Sequence, residues 1–207
     1  MQGGIPLNPS AFKTFGWLNE SSIRFESDRI ILHAPEKTDF FCPHGTESEE
    51  GTLPESLLNA PFYYTEASGD FVMRVKVEHA FTSMYDSASI MVMKDLDVWA
   101  KACFELTDFG THAVVSVVTN SVSDDANGCD IEGNSVWLQV ARTGPSFAFH
   151  YSLDGIHFFM MRYFTLPVEE TVKVGLLPQC PTGSGGDRIY SGFVLEKKTL
   201  KNIRSGK

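Results

Sequence analysis

The chain has 207 residues, of which 43% are hydrophobic and 12% aromatic, and its formal net charge is −9. A negative surface repels phosphate backbones and anionic lipids, so we expect neither nucleic acid nor a membrane as a partner. The four cysteines have no zinc-binding spacing, the first residues show no secretory signal, and no stretch approaches a membrane span. These patterns predict a cytoplasmic protein without a cofactor.

Short alternating runs dominate the chain, and helical periodicity is nearly absent. Strands are predicted at residues 22–27, 29–34, 61–67, 71–80, 87–94, 98–106, 113–120, 135–142, 146–153, 158–166, 172–179 and 189–198. Tight turns between the runs favour an all-β antiparallel sandwich. We predict a single domain over residues 1–207 with its core at about 12–196, a long surface loop at 42–60 and a solvated basic C-terminal tail at 197–207.

Alternation within the strands separates a core face from a mixed second face. The mixed face combines tryptophan with polar side chains, namely Trp99, Lys101, Glu105, Asn120, Trp137, Gln139 and His150. Flat aromatic rings beside hydrogen-bonding groups are what a sugar requires. The open alternative is that Trp99 and Trp137 are half-buried packing residues beneath a loop.

An acidic stretch, VVTNSVSDDANGCD, covers residues 117–130. It predicts a strand ending at Asn120 and then a turn with Asn127-Gly128 at its tip, which would place Asp125 and Asn127 at the rim of the mixed face. A Ca²⁺ site is the alternative, with Asp124, Asp125, Asn127 and Asp130 as ligands. Few oxygens are available for a hard cation, so the prediction is no metal.

Several motifs resemble the DUF1349 family in the same order along the chain. They are YDSASIMV (85–92), VWAKACFE (98–105), VWLQVARTGPSFAFHYSLDG (136–155) and VKVGLLPQCPTG (172–183). The resemblance implies a concanavalin A-like lectin/glucanase jelly roll with two face-to-face sheets, one of them concave. The family includes a yeast protein named as a regulator of enolase, and it brings no established chemistry.

Three functions follow as hypotheses. The first is non-catalytic binding of a carbohydrate or related polyol or sugar-phosphate ligand on the concave sheet. The second is a glycoside hydrolase that uses Glu105 with Asp125, although the ExDxxE arrangement of glucanases is absent and Glu105 fits an ion pair with Lys101 equally well. The third is a regulatory module of carbohydrate metabolism that binds a protein partner or a second copy of itself.

Overall fold

The computed structural model describes residues 12–43, 56–78 and 80–207. The strands are β1 (Gly16–Leu18), β2 (Ile23–Glu26), β3 (Arg29–Ala34), β4 (Phe40–Phe41), β5 (Leu57–Leu58), β6 (Phe62–Ser68), β7 (Phe71–Glu78), β8 (Ser87–Met93), β9 (Val98–Leu106), β10 (His112–Asn120), β11 (Val122–Asp130), β12 (Ser135–Thr143), β13 (Ser146–Ser152), β14 (Phe159–Thr165), β15 (Thr171–Gln179) and β16 (Gly186–Lys197). A short 3-10 helix, Ile203–Ser205, follows them. Within the described ranges, no helix has the length and apolarity needed to cross a membrane.

Two seven-stranded antiparallel sheets form the sandwich. The first sheet has the order β1-β6-β15-β8-β9-β10-β11, and the second has the order β14-β13-β12-β7-β16-β3-β2. The core lies between them, where Ala100 and Phe104 of β9 join Leu138 and Val140 of β12 in one apolar cluster. Alternation along these strands places every second side chain in that core. The predicted all-β antiparallel sandwich is confirmed.

The outer face of each sheet is the face turned away from the other sheet. On the first sheet, the two-stranded β4–β5 pair covers part of this face, where Phe40 packs in a cluster with Phe62 and Trp99. Cys42 and Ala60, at the ends of the predicted surface loop 42–60, are buried in the same cluster. These ends are therefore packed against the sheet, and residues 44–55 of that loop lie outside the described residues.

The predicted turn at Asn127-Gly128 is wrong, because Val122–Asp130 is a nine-residue strand at the edge of the first sheet. The chain reverses instead at Ser121, whose φ angle is 65°. Gly128 lies beside a register shift between β10 and β11. A Cβ at this position would lie 2.6 Å from the carbonyl oxygen of Val114, so the close approach of the two strands requires glycine.

The basic segment after β16 packs on the outer face of the second sheet rather than extending into solvent. Leu200 is buried against β7 and β12. Asn202 caps the 3-10 helix by accepting from the backbone N–H groups of Arg204 and Ser205. His150 Nε2 lies 2.8 Å from the carbonyl oxygen of Ile203, which ties the segment to β13. The tail is therefore anchored at Leu200 and Ile203, while its lysines and Arg204 are exposed to solvent.

Candidate functional site

The two tryptophans predicted to form one platform lie in different sheets. Trp99 is on β9 of the first sheet, and Trp137 is on β12 of the second. Each points away from the core between the sheets, because its strand neighbours are in that core. The two outer faces are on opposite sides of the sandwich, so no single ligand surface contains both rings.

Trp99 is a packing residue. Its side chain is 0% exposed, and its ring meets that of Phe40 edge-on at a centroid distance of 5.5 Å. The indole N–H donates to the carbonyl oxygen of Leu96 at 3.1 Å, which satisfies its polar atom. A sugar cannot reach this ring in the folded protein.

Trp137, Gln139 and His150 form a second closed group. A Cβ added at Gly155 or at Gly192 would lie within 3.0 Å of the Trp137 ring, so the chain packs tightly against the indole at both points. The Gln139 Nε2 atom lies 3.3 Å from His150 Nδ1, and both residues are buried beneath the C-terminal segment. Burial lowers the pKa of His150, partly offset by its bond to the Ile203 carbonyl. The arrangement indicates a structural role.

The other predicted residues lie along three strands of the first sheet. Strand register places Lys101, Glu105, Asp125 and Asn127 on its outer face. Asn120 pairs with Val98, whose side chain is in the core, so Asn120 is on the inner side of the sheet and does not join them. The Glu105 site is defined here as the polar group on this outer face and its rim, comprising Asp39, Tyr85, Lys101, Cys103, Glu105, Asp108, Asp125, Asn127 and Gln179.

Lys101 anchors one side of the Glu105 site. Its side chain is 4% exposed, and its Nζ donates to Asp39 Oδ1 at 3.0 Å and to Gln179 Oε1 at 3.1 Å. Gln179 also donates to Asp39, which closes a three-residue network. Burial alone lowers the pKa of Lys101, but the charge of Asp39 more than reverses this effect and the pKa is raised. The ammonium group is therefore a fixed, neutralised charge.

Glu105 is the perturbed carboxyl of the site. Burial raises its pKa to about 8; the Lys101 cation opposes the shift, and Asp125, Asp39 and Asp108 add to it. The side chain keeps partial exposure. Among the described residues, none donates a hydrogen bond to it. A carboxyl in this state is largely protonated at neutral pH and can both donate and accept hydrogen bonds.

Tyr85 forms an exposed aromatic rim to the site, which was not predicted from the sequence. It is 37% exposed and has a φ angle of 67°, a left-handed conformation that is uncommon for an aromatic residue. Its backbone N–H donates to the carbonyl oxygen of Leu106 at 2.7 Å, so Tyr85 lies beside the end of β9 that carries Glu105. Burial raises the pKa of its hydroxyl, and the charges of Asp108, Glu105 and Asp125 add to the shift. Phe109, 77% exposed, lies in the turn after β9. An aromatic residue in a turn before a strand was the available signal.

Asp125 lies on the edge strand of the site. Desolvation raises the pKa of its carboxyl, partly offset by the Lys101 cation and the Ala126 N–H. Asp124 pairs with Arg162 at 2.8 Å, and Asp130 accepts from Thr111 at 2.9 Å. Asp124 and Asp130, two of the four residues considered as Ca²⁺ ligands, thus have separate protein partners. Within residues 12–43, 56–78 and 80–207, no group of three His, Cys, Asp or Glu side chains is placed to hold a metal.

Strand register gives little support to a glycosidase mechanism that uses Glu105 and Asp125 as its pair of carboxylates. Glu105 faces Ala113, and Asp125 faces Val117, four residues farther along the same central strand. At ~3.3 Å per residue and ~4.8 Å per strand, the two Cα atoms are about 16 Å apart. Glycosidase carboxyl groups are ~5–9.5 Å apart, so both side chains would have to lean together. Cys103 is buried with a pKa raised to about 12, which disfavours the reactive thiolate.

Comparison with protein families identifies the chain. The family described as protein of unknown function (DUF1349) matches residues 17–198. The chain belongs to this family. A relative, Regulation of enolase protein 1 of Saccharomyces cerevisiae, is 29% identical over 182 residues, covering 86% of this chain and 87% of the yeast protein.

Solved structures support the same fold. A functionally unknown protein from Saccharomyces cerevisiae superposes with a TM-score of 0.77 at 27% identity, covering 91% of this chain and 99% of that chain. The GH43 protein BlXynB of Bacillus licheniformis gives 0.59 at 13% identity, with 90% of this chain and 39% of that one. The exoplasmic/lumenal domain of VIP36, bound to Ca²⁺ and Man3GlcNAc, gives 0.54 at 11%, with 91% and 86%. The last two likenesses show a shared sandwich fold.

Proposed function

We propose that this DUF1349 protein binds a carbohydrate or related polyol at the Glu105 site without catalysis. The observation that carries the proposal is the partly exposed Glu105 carboxyl, which shares one sheet face with Asp125 and Asn127. It is next in the chain to Leu106, whose carbonyl oxygen accepts from the N–H of the exposed Tyr85. Carboxyl and amide groups pair with sugar hydroxyls, and the aromatic ring stacks on the apolar face of a sugar. The sandwich fold shared with the Man3GlcNAc-bound domain of VIP36 supports this by analogy alone.

A titration with mono- and oligosaccharides, followed by calorimetry, tests the proposal. Tyr85→Ala is expected to weaken binding by about fivefold, in line with the ~1 kcal/mol that an aromatic contact contributes. Tyr163→Ala is the matched control, because Tyr163 is a 44% exposed tyrosine on β14 of the second sheet. Failure of the wild-type protein to bind any saccharide, or equal loss in both variants, would refute the proposal.

Regulation through a protein partner is the second candidate function, favoured by the relative whose name refers to regulation of enolase. It is tested by measuring binding of the purified chain to purified yeast enolase by calorimetry. Binding that is insensitive to Tyr85→Ala and Glu105→Gln would assign the interaction to another surface. The absence of any heat of binding would leave saccharide binding as the function to pursue.

A further inference from the structure

We propose that the Glu105 site selects uncharged polyhydroxyl ligands and rejects phosphorylated or carboxylated sugars. This inference rests on the proposed function and narrows its ligand class. Charge at the site is what decides between a neutral sugar and a sugar phosphate, and the contacts of Lys101 and Arg162 bear on that choice.

The cation of the site is already neutralised. Lys101 is buried, and its Nζ is held by Asp39 at 3.0 Å and by Gln179 at 3.1 Å. A phosphate bound here would have to compete with Asp39 for a charge that is inside the protein. Proteins hold phosphate with accessible Arg or Lys side chains, or with free backbone N–H groups at the start of a helix. In this sheet, the backbone of β9 is paired on both sides, with β8 and β10.

The nearest additional cation is also engaged. Arg162 of β14 approaches the edge strand and forms an ion pair with Asp124 at 2.8 Å. It also lies 3.2 Å from the carbonyl oxygen of Asp124 and 3.4 Å from that of Ser116. These contacts direct the guanidinium to the backbone of β10 and β11. Its positive charge lowers the pKa of Asp125 only slightly against the larger effect of burial.

The remaining charges of the site are carboxylates. Asp125 and Asp108 are exposed near Glu105, and their negative charges help to keep a proton on it. These carboxylates would repel an incoming anion, just as they disfavour the ionised form of Glu105. A neutral hydroxyl does not, and it can pair with the Glu105 carboxyl or with the exposed amide of Asn127, which both donates and accepts. Like charges that face each other repel, so an anionic sugar should bind more weakly than its neutral parent.

The test compares matched neutral and anionic probes on the whole protein. Calorimetry is run with glucose, mannose, xylose and their β-linked oligosaccharides, with glucose 6-phosphate, mannose 6-phosphate and glucuronate, and with inorganic phosphate. At low ionic strength, each anion should bind at least about tenfold more weakly than its neutral parent, and the difference should shrink at high salt. Asp125→Asn should narrow the difference by strengthening binding of the anion, and Glu20→Gln serves as its control, because Glu20 is exposed and follows β1 at the opposite edge of the first sheet.

Each outcome separates the two proposals. Neutral sugars that bind while their phosphates do not support the selection. Phosphates or glucuronate that bind as tightly as the neutral sugars, or measurable binding of inorganic phosphate, overturn the selection and leave saccharide binding standing. Failure of every probe overturns both. An anion penalty that Asp125→Asn and Glu20→Gln relieve equally would also overturn the assignment, because it would reflect the overall net charge.

Discussion

The outer faces of the two sheets carry similar side chains, but the polar residues of one are covered and those of the other are partly exposed. Each has a tryptophan and a polar residue on neighbouring positions of one strand. On the second sheet, Gln139 and His150 are covered by the C-terminal segment and bonded to each other, and His150 is also bonded to the backbone of that segment. On the first sheet, the β4–β5 pair covers Trp99 and leaves Glu105 partly exposed. The types of residue on a face therefore do not decide its role; the segment that covers the face does.

The energetic difference between the faces is equally informative. Buried polar groups with partners stabilise a fold, whereas a carboxyl without a bonded partner, held in its protonated form, costs stability. Glu105 belongs to the second kind, and proteins tend to retain such groups at functional sites. Substitutions on the two faces test this difference in stability.

Trp99→Ala should destabilise the protein by about 3–5 kcal/mol, because it opens a cavity beneath Phe40 in a fully buried cluster. Urea unfolding followed by circular dichroism measures the change. If Trp99 were instead a ligand platform, the variant would keep its stability and lose saccharide binding.

Glu105→Gln should stabilise the protein by roughly 1–3 kcal/mol at pH 7. The carboxyl keeps its proton up to a pKa of about 8 in the folded state but ionises above 4.5 in the unfolded chain. Below pH 4.5 the carboxyl is neutral in both states and imposes no charge-burial penalty. The free energy of unfolding then falls as the pH rises above 4.5, and it levels off above a pH of about 8. The gain from glutamine should therefore grow between these values and vanish in acid, as thermal unfolding across pH will show. A loss of stability at pH 7 would contradict the proposed environment of Glu105.

His150→Ala should cost about 1–2 kcal/mol and loosen the C-terminal segment, because it removes the bond to the Ile203 carbonyl. The folded-state pKa of His150 is lowered, so its contribution to stability is present above its ordinary value of 6.5 and is lost as the pH falls through the folded-state pKa. Hydrogen exchange at residues 203–206 should accelerate in the variant, and in the wild type on acidification. Unchanged exchange in both cases would mean that the segment is held by other contacts.

Alanine substitutions at the adjacent residues Asp124 and Asp125 should give the smallest changes in stability and compare the two faces of β11 directly. Both are exposed, so either alanine substitution should change stability by at most about 0.5 kcal/mol. Asp125→Ala should alter ligand affinity because its side chain faces the Glu105 site, whereas Asp124→Ala should remove the ion pair with Arg162 alone. Calorimetry on the two variants checks this. Equal effects on affinity would remove Asp125 from the site.

Alternation alone predicted most strands, including β9 at residues 98–106 with its observed bounds. It could not predict which strands share a sheet, because pairing depends on contacts distant in sequence, and this separated Trp99 from Trp137. On β10 the prediction that Asn120 shares the face of Trp99 was wrong, because Asn120 pairs with Val98, whose side chain is in the core. Val117 packs with Trp99, and a shift of one residue exchanges the two faces of a strand.

Two further misses have compositional causes. The run Val122–Asp130 is rich in Asp, Asn and Gly, which have low strand propensity, but an edge strand tolerates them. The C-terminal segment is basic, yet it docks through the buried Leu200 and through the Ile203 backbone carbonyl, which composition does not reveal. Lys101, Glu105, Asp125 and Asn127 were found from the sequence because they lie at outward positions of predicted strands or beside one.

The position of β11 at the sheet margin also bears on how copies of the protein behave towards one another in concentrated solution. A sheet margin is a template onto which another chain can add, and charged side chains along it oppose such growth. Near its start this margin already pairs within the chain, since the Ser123 N–H donates to the Cys42 carbonyl oxygen at 2.9 Å. Asp124, Asp125 and Asp130 place three negative charges along the strand. Their charges therefore oppose pairing with a second copy of the chain, and removing them should favour self-association.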